Sequence, residues 1–144
     1  MEKDKKLPAK IKISGIHSMD NSDDNVREEY TGILSKKADS IYIIYEAPAG
    51  IRNMIKIGTA GVSLTKSCMY HGKRRVMTEL TYSLGNKNPG SYETPYGTME
   101  IETETKHLET KENEKSVSCK IKGRLMINGS FVSDFNLNIE AAAD

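Results

Sequence analysis

Ser91-Tyr-Glu-Thr-Pro-Tyr-Gly-Thr-Met-Glu-Ile-Glu-Thr-Glu-Thr-Lys-His-Leu108 joins a strong turn signal to the longest strand-like run in the chain. Pro95 fixes the backbone angle that the second residue of a β-turn needs, and Gly97 follows where most geometries are tolerated. From there the side chains alternate. Gly97, Met99, Ile101, Thr103, Thr105 and His107 point one way, and Thr98, Glu100, Glu102, Glu104 and Lys106 the other. A period of two with one charged face is the signature of a strand that is wet on one side.

The same pattern spreads outward in both directions. Val117, Cys119, Ile121, Gly123, Leu125 and Ile127 alternate with Lys120, Lys122 and Arg124, and Asn128-Gly129 then supplies a two-residue hairpin signal. Phe131, Phe135, Leu137 and Ile139 are expected to share the inward face of the last strand, and Ile11 and Ile13 that of the first. The run Ile41-Tyr-Ile-Ile-Tyr-Glu46 is rich in β-branched and aromatic residues. Turns are read at Lys37-Ala-Asp-Ser40, Gly58-Thr-Ala-Gly61 and His71-Gly-Lys73, and loops over 20–25 and 86–90. No amphipathic helix or repeat interrupts the series.

Eight to ten strands with mostly short connections make an antiparallel meander, since parallel pairing needs long crossovers. Closure removes exposed edges, so the expected fold is all-β: a single up-and-down antiparallel barrel over residues 9–140. A flexible lead-in (1–8) and a frayed tail (141–144) complete the expected organisation.

The 144 residues suit one domain that buries about two thirds of its unfolded surface. Hydrophobic residues make up 37%, so only one face of most strands can be apolar. Twenty-one basic and twenty acidic residues nearly cancel, which argues against nucleic acid or an anionic membrane as partner. The charged start has no apolar stretch behind it, so a cytoplasmic location is expected. Cys68 and Cys119 are too far apart for a zinc or redox motif and are expected as free thiols.

Tyr92-Glu-Thr-Pro-Tyr-Gly97 leading into Ile101-Glu-Thr-Glu-Thr-Lys-His-Leu108, with Ile41-Tyr-Ile-Ile-Tyr-Glu46 before it and Leu125-Met-Ile-Asn-Gly-Ser-Phe131 after it, resembles the YwiB-like family of small bacterial β-barrel proteins, a domain of unknown function. The resemblance covers most of the chain. It implies a calycin-like barrel, similar to lipocalins and fatty-acid-binding proteins, which often hold a small apolar ligand. The chain departs from secreted lipocalins in having no Trp.

No catalytic, metal or cofactor constellation emerges. Asp20, Ser22 and Asp24 start like a calcium loop, but Asn25 and Thr31 stand where the turn glycine and bidentate Glu belong. His17, His71 and His107 lack metal-ligand spacing. An enzyme is not expected, nor any cofactor. The expected activity is binding of a small, largely apolar molecule inside the barrel. Tyr45, Arg74, Arg75, Tyr96, Thr103, Thr105 and His107 are the candidate ligand-facing residues, alternation sending one of Arg74 and Arg75 inward. The alternative is a side-chain-filled barrel serving protein interaction, such as homodimerisation, through its outer tyrosines and Ile44.

Overall fold

The computed structural model describes residues 5–19, 22–37, 39–94 and 96–143, and the side chains of all of these except 5, 16–19, 22–26 and 94. The first four residues, Asp20, Asn21, Ala38, Pro95 and the final residue lie outside the described set, as do the side chains of His17, Ser22 and Asp24. Among the described residues ten strands follow one another: β1 (Lys5–Met19), β2 (Ser22–Lys37), β3 (Ser40–Ala47), β4 (Ile51–Gly58), β5 (Gly61–Tyr70), β6 (Lys73–Tyr82), β7 (Lys87–Thr94), β8 (Gly97–Asn113), β9 (Ser116–Ile127) and β10 (Ser130–Ala143). One 3-10 turn, Pro48–Gly50, joins β3 to β4. Each strand pairs with its sequence neighbour, and β1 pairs antiparallel with β10, closing an up-and-down barrel.

Alternation determines which side chains are enclosed. Ala9 and Ile11 of β1, Leu34 of β2, Ile41 and Ile43 of β3, Ile55 and Ile57 of β4, and Val62 and Leu64 of β5 meet Val117, Cys119, Ile121, Ile139 and Ala141 from β9 and β10. Together they pack the lower half of the barrel. Lys36 of β2 and Glu112 of β8, on strands that are not neighbours, form an ion pair at 3.0 Å across that end.

The two-residue turns His71-Gly72 and Asn128-Gly129 both have positive φ at each position, the mirror-type hairpin geometry that suits strand twist. Gly123 is an obligatory close approach. A Cβ there would stand 2.0 Å from the Glu104 carbonyl oxygen.

Several sequence expectations are corrected. The lead-in is shorter than expected, because Lys5 already pairs with Lys36. The 20–25 loop is also shorter, since β2 resumes at Ser22 opposite Met19. The alanine tail does not fray. Ala141 is 1% exposed, wedged between Ile11 and Val117 of the flanking strands. Asn88, Pro89 and Gly90 lie in β7 rather than in a loop: β7 pairs along its whole length with β8 but with β6 only at Tyr92 and Ser91, so no β6 partner is lost at Pro89. Phe131 leaves the inward face because the register slips between Phe131 and Ser133, and one extra residue turns its ring outward, 58% exposed.

Candidate functional site

The upper half of the barrel is not filled. A cavity of about 450 Å³ lies above the packed core, lined by Leu64, Leu80, Ile101, Leu125, Ile127, Phe135 and Leu137 among others. It reaches solvent past Glu28, Lys66 and Tyr92, lining residues that are themselves exposed. Barrel diameter grows with strand number, and about eight strands are what side chains alone can fill. Ten strands leave room.

Local sequence explains each wall. Ile41, Ile43 and Tyr45 alternate inward on β3, as do Asn53, Ile55 and Ile57 on β4 and Val62, Leu64 and Lys66 on β5, so each apolar series ends in a polar residue at the upper level. Gly32 on β2 lies opposite Tyr45. A Cβ at Gly32 would come within 2.3 Å of the Ile44 carbonyl oxygen and 2.9 Å of the Tyr45 Cβ, so glycine admits the close passage of β3. Tyr45 then stacks on Tyr30, ring centroids 4.4 Å apart, and the Tyr30 hydroxyl donates to the Glu28 carboxylate at 2.6 Å.

That arrangement governs the local ionisation. Donation to Glu28, then burial and the nearby negative charge, push the Tyr30 hydroxyl up to about 12. Burial, followed by the proximity of Tyr30 and Glu28, raises Tyr45 further. Burial alone pushes Tyr82 up to about 12. All three remain neutral donors at ordinary pH.

Of the residues expected to face a ligand, Tyr45 and Thr103 line the cavity. The Thr103 hydroxyl donates to the Thr81 carbonyl at 2.6 Å, so it is already engaged. Thr105 points inward and is 1% exposed, below the void, with its hydroxyl unpartnered. The other four are elsewhere. Lys106 is an extra residue between the paired positions Thr105 and His107, so parity reverses there and Leu108 takes the inward place opposite Ile121. His107 stands outside, half-exposed, 3.6 Å from Glu109.

Neither Arg74 nor Arg75 enters the interior. A third slip, at Met77, and the short β6–β7 pairing free the upper part of β6 as a hairpin tip above the wall. There Arg74 donates to the Ser67 hydroxyl at 3.1 Å, while Arg75 pairs with Glu93 and lies over the Tyr70 ring. Tyr96 is fully exposed in the β7–β8 turn.

Sequence reasoning passed over Glu28, Asn53, Lys66 and Thr78. The available signal was a polar residue continuing an inward apolar alternation, as in Val62, Leu64, Lys66. Among the described residues the lining includes no His or Cys, and no three His, Cys, Asp or Glu side chains gather as a metal site. Cys119 is buried, which pushes its thiol up, while a contact with the Thr110 hydroxyl acts the other way. No helix among the described residues is long and apolar enough to cross a membrane.

The crystal structure of the ywiB protein from Bacillus subtilis is similar to this one, with a TM-score of 0.79, covering 96% of this chain and 93% of that chain at 15% identity. At that identity the likeness shows a shared fold. No match is found among curated proteins. The family model described as a domain of unknown function (DUF1934) matches residues 11–139, most of the chain, and the chain belongs to this family.

Proposed function

We propose that the protein is a non-catalytic binding module whose barrel receives one small, largely apolar molecule. The observation that carries this reading is the cavity of about 450 Å³. Small-molecule sites run from about 300 to 1,000 Å³ and combine apolar walls with a few polar groups that set orientation. Here the charged lining groups, Glu28 and Lys66, stand at the mouth, so an apolar body enters first and a polar end stays near water. The outer wall carries Lys10, Lys12, Lys56, Lys120, Lys122 and Glu140, all exposed, which supports a barrel bathed in water with its apolar surface turned inward. A cytoplasmic setting fits the two free thiols.

The test is a titration of the full chain with N-phenylnaphthylamine, an uncharged dye that brightens in apolar surroundings. Saturable one-to-one enhancement is expected, and it is lost in Leu125→Trp, which fills the void. Absence of enhancement, or enhancement indifferent to Leu125→Trp, contradicts the reading.

A second reading is favoured by one feature of the outer wall. Ile33, Ile44 and Met54 are direct cross-strand neighbours on β2, β3 and β4, and Ile33 and Met54 are exposed. Such a row suits contact with a second copy of the chain. Sedimentation equilibrium is expected to show a dimer that Ile44→Glu dissociates; a monomer at every concentration contradicts this reading. The two readings are compatible, because the row faces away from the cavity.

A further inference from the structure

Tyr45, Asn53, Lys66 and Thr78 form one cross-strand row: Tyr45 pairs with Asn53, Asn53 with Lys66, and Lys66 with Thr78. Directly opposed residues hold their Cβ atoms about 5 Å apart, so four polar side chains make a continuous arc at one level of the inner wall. Tyr45, Lys66 and Thr78 line the cavity. Asn53 sits between them, 2% exposed, and its side-chain oxygen has no hydrogen-bond partner. A buried acceptor left unpaired is costly, which marks this arc as incomplete.

Charge decides what completes it. Among the described residues Lys66 belongs to no ion pair. The other ionised lining group, Glu28, lies on β2, three strands away, and its carboxylate already accepts the Tyr30 hydroxyl. Arg74, held to Ser67 beside Lys66, adds a second positive charge to the same corner. The potential is therefore positive at the Lys66 corner, away from the Glu28 charge on β2.

We infer that the cavity takes a small organic monoanion, an apolar body ending in a carboxylate or an equivalent head, bound at Lys66 and Thr78. This rests on the binding reading above and adds its ligand class. The Lys66 ammonium has three N–H donors. Drawn over the arc by a carboxylate, it donates to that carboxylate and to the Asn53 side-chain oxygen together, which satisfies the orphan acceptor. The Thr78 hydroxyl gives the head group a second donor, and the tail descends onto Leu64, Leu80 and Ile101.

The experiment displaces N-phenylnaphthylamine from the full chain with decanoate, decanol and decylamine, each below its aggregation concentration. Decanoate is expected to compete at concentrations about tenfold lower than decanol, the scale of one charge-assisted hydrogen bond. Decylamine is expected to do no better than decanol. In Lys66→Met, an exposed position whose replacement leaves the core intact, the advantage of decanoate over decanol is lost. Equal competition by decanoate and decanol, preference for decylamine, or a decanoate advantage that survives Lys66→Met overturns the inference while leaving the cavity reading in place. If neither the dye nor decanol binds, both fall together.

Discussion

The rings of Tyr82 and Phe135 meet edge to face across the barrel interior, centroids 5.5 Å apart, although their strands are not neighbours in the sheet. Both rings line the cavity and both belong to the core cluster, so this contact marks the boundary between packed interior and void. Removing the Phe135 ring lowers that boundary. Phe135→Ala is expected to cost about 3 kcal/mol, the low end for a buried phenylalanine, because part of its surroundings is already empty. Urea unfolding measures it, and a loss below about 1 kcal/mol would mean that the ring closes nothing.

The close approach at Gly123 predicts a backbone effect without loss of apolar surface. The added methyl of Gly123→Ala meets the Glu104 carbonyl oxygen, a backbone atom that cannot swing aside, and then the Phe135 ring at 3.1 Å. A cost of about 2–3 kcal/mol follows from the forced separation of β8 and β9. Gly15→Ala, whose methyl comes no nearer than 3.4 Å to the Asn136 carbonyl oxygen, is expected to change stability by less than about 1 kcal/mol. Equal urea midpoints for the two variants would contradict the geometry.

The thiols separate by burial. Cys119 is 1% exposed and its thiol is raised by that burial, whereas Cys68 is only partly buried near the top of β5. A disulfide reagent is expected to titrate one thiol in the native protein, assigned to Cys68 by its loss in Cys68→Ser, and two in denaturant. Rapid native reaction of both would show that the wall around Cys119 opens freely.

Alkaline pH probes the tyrosines that frame the cavity. An unfolded tyrosine ionises near pH 10. Tyr30 and Tyr82 are pushed up to about 12 and Tyr45 further, so above about pH 10 the native state keeps protons that the unfolded chain has lost. Stability from these groups is therefore complete below about pH 10 and is lost as pH rises through about 12. The urea midpoint should fall across that window, and more gently in Tyr82→Phe. A midpoint unchanged across it, or the same slope in the variant, contradicts this.

Most of the barrel was legible because period-two alternation reports burial directly. Cys119, Ile121 and Gly123 share one face by spacing alone, and the short turns imply an antiparallel meander; in Ile41-Tyr-Ile-Ile-Tyr-Glu46 both faces are apolar, so spacing does not say which is enclosed. His107 and Phe131 depart from the expected face for one shared reason. Single extra residues at Lys106 and Val132 reverse parity, which moves His107 and Phe131 outside. Neither bulge carries a glycine or proline to announce it. β7 was misread for a different reason: Asn88, Pro89 and Gly90 look like a loop, yet the strand needs full pairing on only one side. The candidate site is legible in part. Alternation gives Thr103, and Tyr45 is picked out by its ring and hydroxyl, while Lys66 and Asn53 obey the alternation rule but are polar and so do not stand out.

Methyl NMR of the full chain during titration with decanol tests the central claim most directly. Shifts at Leu64, Leu80, Ile101 and Leu125, with the outer-wall methyls of Ile33 and Met54 and the lower-core methyls of Ile57 and Val117 unmoved, are the result predicted for a molecule entering the upper barrel. Shifts confined to Ile33 and Met54, or none at saturating decanol, would mean that the void receives nothing.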